Sequence, residues 1–168
     1  MIPLRLQKGI IKRLEKLFKK NQYQRPPKSD EIESDVHYSK LNFYEQNLPI
    51  KNAKDDSPYP LVLVKLMHGD KANSKADHII NIQIAVGVYN NLKSCDGHRD
   101  VAQILSSSIE HFEKNPIIEG MFELDLDSSI NWELSDEDTF PFYFGAVSLN
   151  FKIPLEQFKN RTDVEGLI

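Results

Sequence analysis

Cys95 and His98 stand three residues apart, a spacing that raises the idea of a thiolate with its base. Such chemistry needs both side chains aimed at one substrate and donors waiting for the oxyanion. A tight Cys95-Asp96-Gly97 turn leading into a helix supplies neither, so an unreactive turn cysteine is the better account. His68 and His78 bracket a polar loop, with Asp70 and Asp77 beside them. If the flanking strands pair in register the two imidazoles approach one another, a conceivable metal site, although loop polarity explains them better. The acids Glu133, Asp136, Glu137 and Asp138, with Glu123, Asp125 and Asp127 upstream, suggest a catalytic pair or a calcium loop. A calcium loop needs oxygens at alternate positions around a glycine bend, and Ser135-Asp136-Glu137-Asp138 has no glycine. A solvated acidic rim accounts for them. Gly87, Gly97 and Gly145 are isolated, so there is no glycine-rich phosphate loop; nor does an aromatic sheet face alternate with Arg and Lys as single-stranded nucleic-acid binding requires. His37 and His111 read as solvent-facing. These residues predict no catalytic site, no metal and no cofactor, and the chain is expected not to be an enzyme.

The elements that would position these groups form an α+β core. From Ile80 to Val88 every even position is aliphatic while the odd ones carry Asn81, Gln83, Ala85 and Gly87, the period of two of a strand with one buried face. Val101, Ile104, Leu105, Ser108, Ile109 and Phe112 then recur at helical spacing, with Asp96 or Gly97 available as cap and Asn115-Pro116 as the stop. Upstream, Tyr59 to Met67 is apolar at consecutive positions, which suits a strand buried on both faces. The polar segment His68 to Asp77 joins it to the next strand as a hairpin with a loop of roughly ten residues. Downstream, Phe122, Leu124 and Leu126, then Ile130, Trp132 and Leu134, then Tyr143, Val147, Leu149, Phe151 and Ile153 alternate with polar or small residues and close the sheet antiparallel. The fold expected is therefore a mostly antiparallel sheet flanked by an N-terminal helix and a central amphipathic helix.

At 168 residues the chain is one domain by length, long enough to bury roughly two-thirds of its unfolded surface without metal or disulfide. Within it we expect a basic amphipathic helix over 1–20, an irregular connector over 21–58, the α+β core over 59–154 and a tail over 155–168. The connector offers one possible edge strand between Val36 and Phe43 and a charged stretch from Lys51 to Pro58. A single cysteine excludes an intramolecular disulfide. The opening residues show no secretion signal and no apolar run reaches membrane-spanning length, so a reducing cytoplasm is expected.

The net charge of −4 conceals an asymmetry. Residues 1–28 carry nine Lys or Arg against the single acid Glu15, about +8, which leaves about −12 for the remainder. Leu6, Ile10, Leu14, Leu17 and Phe18 share one side of the first helix; Arg5, Lys8, Lys12, Arg13, Lys16, Lys19 and Lys20 occupy the other. A docked helix with a solvated basic face, a helix meeting a partner, and a membrane-surface helix all fit that pattern, the first most simply.

The block from Gly97 to Pro154, with upstream YPLVLVKLMHGD and IQIAVGVYN, resembles a family of tail-completion, or tail-terminator, proteins of siphophages and prophages of Gram-positive bacteria. The likeness rests on the RDV helix start at Arg99 to Val101, the Asn115-Pro116 stop and the FELDLD strand. It continues through Trp132-Glu133-Leu134 and Glu137-Asp138-Thr139 leading into FPFYFG. The resemblance implies an α+β fold and a ring of subunits, six in number, that caps the tail tube, ends its growth and offers the surface on which the head docks. It implies as partners further copies of the chain, the tail tube protein and head-tail connector proteins, with DNA only passing through the channel and no membrane. It also implies assembly in the host bacterial cytoplasm followed by residence in the virion tail. A connector or other minor tail protein would share the pattern, and a DNA-binding module working through the basic helix is a further alternative. Unlike surfaces are what a head-to-tail ring joint needs. The expected contact sets the helix face (Arg5, Lys12, Arg13, Lys16) or the loop carrying His68, Asp70 and Lys71 against an acidic neighbour at Glu133, Asp136, Glu137 and Asp138.

Overall fold

The structure is a computed structural model and describes residues 2–50 and 57–153; residues 51–56 of the expected charged stretch, and the expected tail, lie outside the described residues. In chain order the elements are α1 (Ile2–Leu17), β1 (Tyr23–Arg25), β2 (His37–Ser39), β3 (Asn42–Glu45), β4 (Leu61–Asp70), β5 (His78–Tyr89), α2 (Gly97–Lys114), β6 (Ile117–Ile118), β7 (Phe122–Leu124), β8 (Asn131–Leu134) and β9 (Phe142–Ile153). Strands β3 to β9 form one curled sheet in the order β3-β4-β5-β9-β7-β6, and β8 pairs with β9 beside β7. All pairings in it are antiparallel except β3 with β4. This is the expected α+β fold.

The period of two in β5 is realised residue by residue: Ile80, Ile82, Ile84, Val86 and Val88 are each no more than 2% exposed. They meet Val62 and Val64 of β4, Val147, Leu149 and Phe151 of β9, and both helices. On α2 the stripe of Val101, Ile104, Leu105, Ser108 and Phe112 is buried. Ser108 is admitted because its hydroxyl donates to the Ile104 carbonyl at 2.7 Å. At the helix end, Asn115 returns both its backbone N–H and its side-chain amide to the His111 carbonyl.

The N-terminal turn of α2 approaches β9 too closely for side chains at two positions. A Cβ on Gly97 would lie 2.1 Å from the Tyr143 ring, and one on Gly145 would lie 2.6 Å from Val101. α1 is held differently, by Leu6, Ile10 and Leu14, which are fully buried, and by one buried amide. Gln7 donates from Nε2 to the Val64 carbonyl at 2.8 Å and to Gln46 Oε1 at 3.0 Å. Gln46 in turn bridges the backbone of Leu66.

Several expectations need correction. β4 runs to Asp70 and β5 starts at His78, so the loop is shorter than the roughly ten residues expected; a bulge between Leu66 and His68 resets the register and lets the ladder continue. The possible strand from Val36 to Phe43 is two strands, interrupted at Lys40 and the buried Leu41. Residues 21–25 are anchored, not irregular. Tyr23 shares a hydrogen bond with Gln103, and Gln24 Oε1 accepts the Asn91 N–H at 2.6 Å. β7 stops at Leu124 because Asp125 forms a turn, its carboxylate accepting from the Asp127 N–H and the Ser128 hydroxyl; Leu126 is left outside.

Candidate assembly surfaces

Opposite charge is displayed at opposite edges of the sheet. α1 packs over β3 and β4 and touches β6, and α2 packs over β5, β9 and β8. On the α1 side, Lys12, Lys16 and Lys19 of the helix segment and Lys40 before β3 line an open groove of about 730 Å³ floored by Phe18, Leu41 and Phe43. Arg5 lies exposed on the same helix face. Arg13 does not belong to that set. Its guanidinium turns toward β6 and donates to the Ile117 carbonyl at 2.8 Å, because one residue beyond Lys12 is a further 100° or so around a helix.

At the other edge, Glu133 of β8 and Asp136, Glu137 and Asp138 of the following loop are all exposed. A shallow cleft of about 390 Å³ brings Glu133, Asp136 and Glu137 beside Gln83, Ala85 and Ala146 on the sheet face away from the helices. Among the described residues, none of Arg5, Lys12, Lys16, Glu133, Asp136, Glu137 and Asp138 takes part in an ion pair. The lysine groove also carries one acid, Glu15, and keeps a net positive charge.

The hairpin residues His68, Asp70 and Lys71 are exposed but sit elsewhere. His78 pairs with Ile153 at one end of β9, while the acidic loop leads into Phe142 at the other, so hairpin tip and acidic loop occupy opposite ends of the sheet. His68 lies opposite Asn81, and the His78 ring comes within 2.9 Å of where a Cβ on Gly69 would stand, so the two imidazoles do not face each other as register pairing had suggested. Among the described residues no group of three or more His, Cys, Asp or Glu could hold a metal. Cys95 is an exposed thiol on a turn with φ of 57°.

Two histidines expected at the surface are partly enclosed. His37 lies 3.1 Å from Glu31, whose carboxylate is held down to about 2, first by its bond from Arg25 and then by the Lys28 N–H. His111 is half-buried with Nε2 lacking a partner among the described residues, and its pKa is lowered by desolvation and then by the charge of Arg13. At the start of α2, burial raises the Asp100 carboxyl, opposed by a bond from Asn90.

Trp132 lies on the edge strand β8. It alternates correctly with Asn131 and Glu133, yet it is 60% exposed, because β8 is an edge strand and the ring only overhangs α2. It closes one side of an apolar cleft of about 330 Å³ formed with Leu105 and Ile109 and rimmed by Glu110 and Glu113. Its neighbours Glu110 and Glu113 could have been read from the sequence as the outward face of α2, and Lys40 as a cation set just ahead of a strand. No protein-family model matches the chain, and no curated protein matches it.

Proposed function

We propose that this chain is a structural protein of a tailed phage that caps the tail tube as an oligomeric ring, ending tube growth and presenting the surface to which the head joins. It acts by shape and charge, without catalysis and without cofactor. The observation that carries this reading is the pair of unlike surfaces at opposite edges of one sheet. The Lys12, Lys16, Lys19 and Lys40 groove lies at the β3 edge, and Glu133 with Asp136 to Asp138 lies at the β8 edge. A ring needs each subunit to offer its neighbour two different, mutually fitting patches, and complementary charge orients their encounter. The sequence likeness to tail-completion proteins supports the same role. Its partners would be further copies of itself, the tail tube protein and connector proteins, first in the host cytoplasm and then in the virion.

The test is negative-stain microscopy of lysates from the source phage with this reading frame deleted, beside a complemented control. Full heads separate from overlong tails are the expected result. Tails of normal length beside empty heads would assign a connector role instead, and normal particles would overturn the tail reading. The lysine groove also fits a weaker alternative, DNA binding through α1, which predicts salt-dependent retention of DNA that is lost when Lys12 and Lys16 become Glu.

A further inference from the structure

We infer that two copies of this chain join by continuing the sheet, the β3 edge of one pairing antiparallel with the β8 edge of the next. The inference rests on the ring reading above and names its joint. Among the described residues β3 pairs only with β4, and β8 only with β9, so each offers an open edge. Strand directions follow from the pairings. β3 runs with β4, and three successive antiparallel steps through β5 and β9 leave β8 running against it. A second copy laid edge to edge, helices on the same side, therefore presents β3 antiparallel to β8.

The backbone fixes the register. Asn42 and Gln46 donate their N–H groups to the Pro60 and Val64 carbonyls of the β4 side, so the alternate residues Phe43 and Glu45 turn their N–H groups outward; the Glu45 carbonyl, on the same side, already accepts the Asn47 N–H at 2.7 Å. Ser135 donates to the Phe144 carbonyl, so Glu133 and Asn131 face β9 while Trp132 and Leu134 turn outward. Matching outward groups sets Phe43 opposite Leu134 and Glu45 opposite Trp132, with Tyr44 opposite Glu133 between them. Those same pairs already lie on common rows through the subunit. One row reads Tyr44, Leu63, Ala85, Ala146, Glu133, and the next Glu45, Val64, Ile84, Val147, Trp132. A neighbour added in this register is not displaced along the strands. A head-to-tail joint without such displacement can close into a ring, whereas a displaced one winds into a filament.

Side chains agree with the backbone. Continuing the register one turn outward brings Lys40 opposite Glu137. In the helical layer, Lys12 and Lys16 of α1, with Lys19 just beyond it, come to face Glu113 and the Lys114-paired Glu110 of the neighbouring α2. Trp132, 60% exposed in the single subunit, becomes the aromatic anchor between those charged rims. Edge strands of soluble proteins are usually blocked by a lysine, a proline or a covering loop. The short β8 sequence Asn131-Trp132-Glu133-Leu134 contains no lysine or proline, and its one charge is Glu133.

The test uses the full chain with Cys95→Ser, which removes the only native thiol. One preparation carries Tyr44→Cys and another Glu133→Cys, the pair set opposite one another on the sheet face away from the helices, and the two are treated with a short bismaleimide singly and mixed, at high concentration and low salt. The mixture should give covalent dimer at about tenfold or more the yield of either preparation alone, the mark of a joint between unlike patches. Equal yields in the single preparations, or no cross-link anywhere, overturn the joint. Oligomers seen by light scattering without the mixed cross-link overturn this joint and leave the ring reading standing. The mixed cross-link together with normal particles from the deletion phage supports the joint and removes the tail role.

Discussion

The two helices lie on one face of the same sheet, and each buries a stripe at three-and-four spacing, yet they are held and charged in opposite ways. α2 is seated by close approach: Gly97 and Gly145 leave no room between its first turn and β9. α1 is seated by burying Leu6, Ile10 and Leu14 and by the Gln7 amide on Val64 and Gln46. Outward, α1 shows Lys8, Lys12 and Lys16, whereas α2 shows Glu110 and Glu113, the former tied to Lys114 at 2.7 Å. Since exposed charge contributes little to folding stability, neither outer face is needed to keep its helix in place. The docking stripe secures each helix, and the solvent face is left free to serve a partner.

That contrast can be broken at its strongest point first. Gly97→Ala should cost about 3 kcal/mol in chemical denaturation, because the added methyl enters the space of the Tyr143 ring, which must be displaced. A loss below about 1 kcal/mol would mean that α2 is not seated by close approach. Gln7→Leu tests α1 in the same way. It leaves the Val64 carbonyl without its side-chain donor and Gln46 Oε1 without one of its two donors, for an expected loss of about 2 kcal/mol. Unchanged stability would show that the apolar stripe alone holds α1.

A smaller effect concerns the seam where the helices meet β6. The fold lowers the His111 pKa through burial and the nearby Arg13, so it favours the neutral ring. Above the ordinary histidine value of 6.5 nothing is lost; as pH falls below 6.5 the unfolded chain takes up the proton first and stability declines. His111→Gln should flatten that decline in melting curves taken across the acid range, and an unaltered slope would locate it in other groups. The smallest effect on folding is expected from Lys12→Glu with Lys16→Glu, within about 0.5 kcal/mol of the parent. The same pair should weaken self-association at low salt, as followed by light scattering, and association unchanged by the reversal would separate charge from assembly.

The long elements were legible because each repeats its pattern enough times to be unambiguous: β5 alternates over five buried positions, and α2 sustains its stripe from Val101 to Phe112, about three turns. β3 was missed as a separate strand because Asn42-Phe43-Tyr44-Glu45 is too short to show a period, and so short a strand gives no sign of its parallel pairing with β4. Tyr23 and Gln24 escaped notice because their anchoring comes from single hydrogen bonds to Gln103 and Asn91, far along the chain. The hairpin was overestimated because His68, Gly69 and Asp70 are polar, and polarity marks exposure as readily as it marks a loop. Of the candidate surfaces, the sequence showed that positive charge gathers early and negative charge late. It could not show that the fold carries the two to opposite edges, since that depends on strand order. Arg13 was grouped with Lys12 and Lys16 by charge, without regard to helical angle.

β4 outruns its neighbour. Beyond Leu66, where Gln46 ends the contact with the β3 side, the strand continues from Met67 to Asp70, about 14 Å at the rise of an extended chain, before the hairpin turns back. The acidic loop projects from the other end of the sheet. Laterally joined copies would thus set a row of polar hairpin tips on one rim, above strands backed by β9, and a negatively charged collar on the other. Such an object has a top and a bottom that no rotation exchanges, which gives it polarity: a way to meet one structure on each side and never the same one twice.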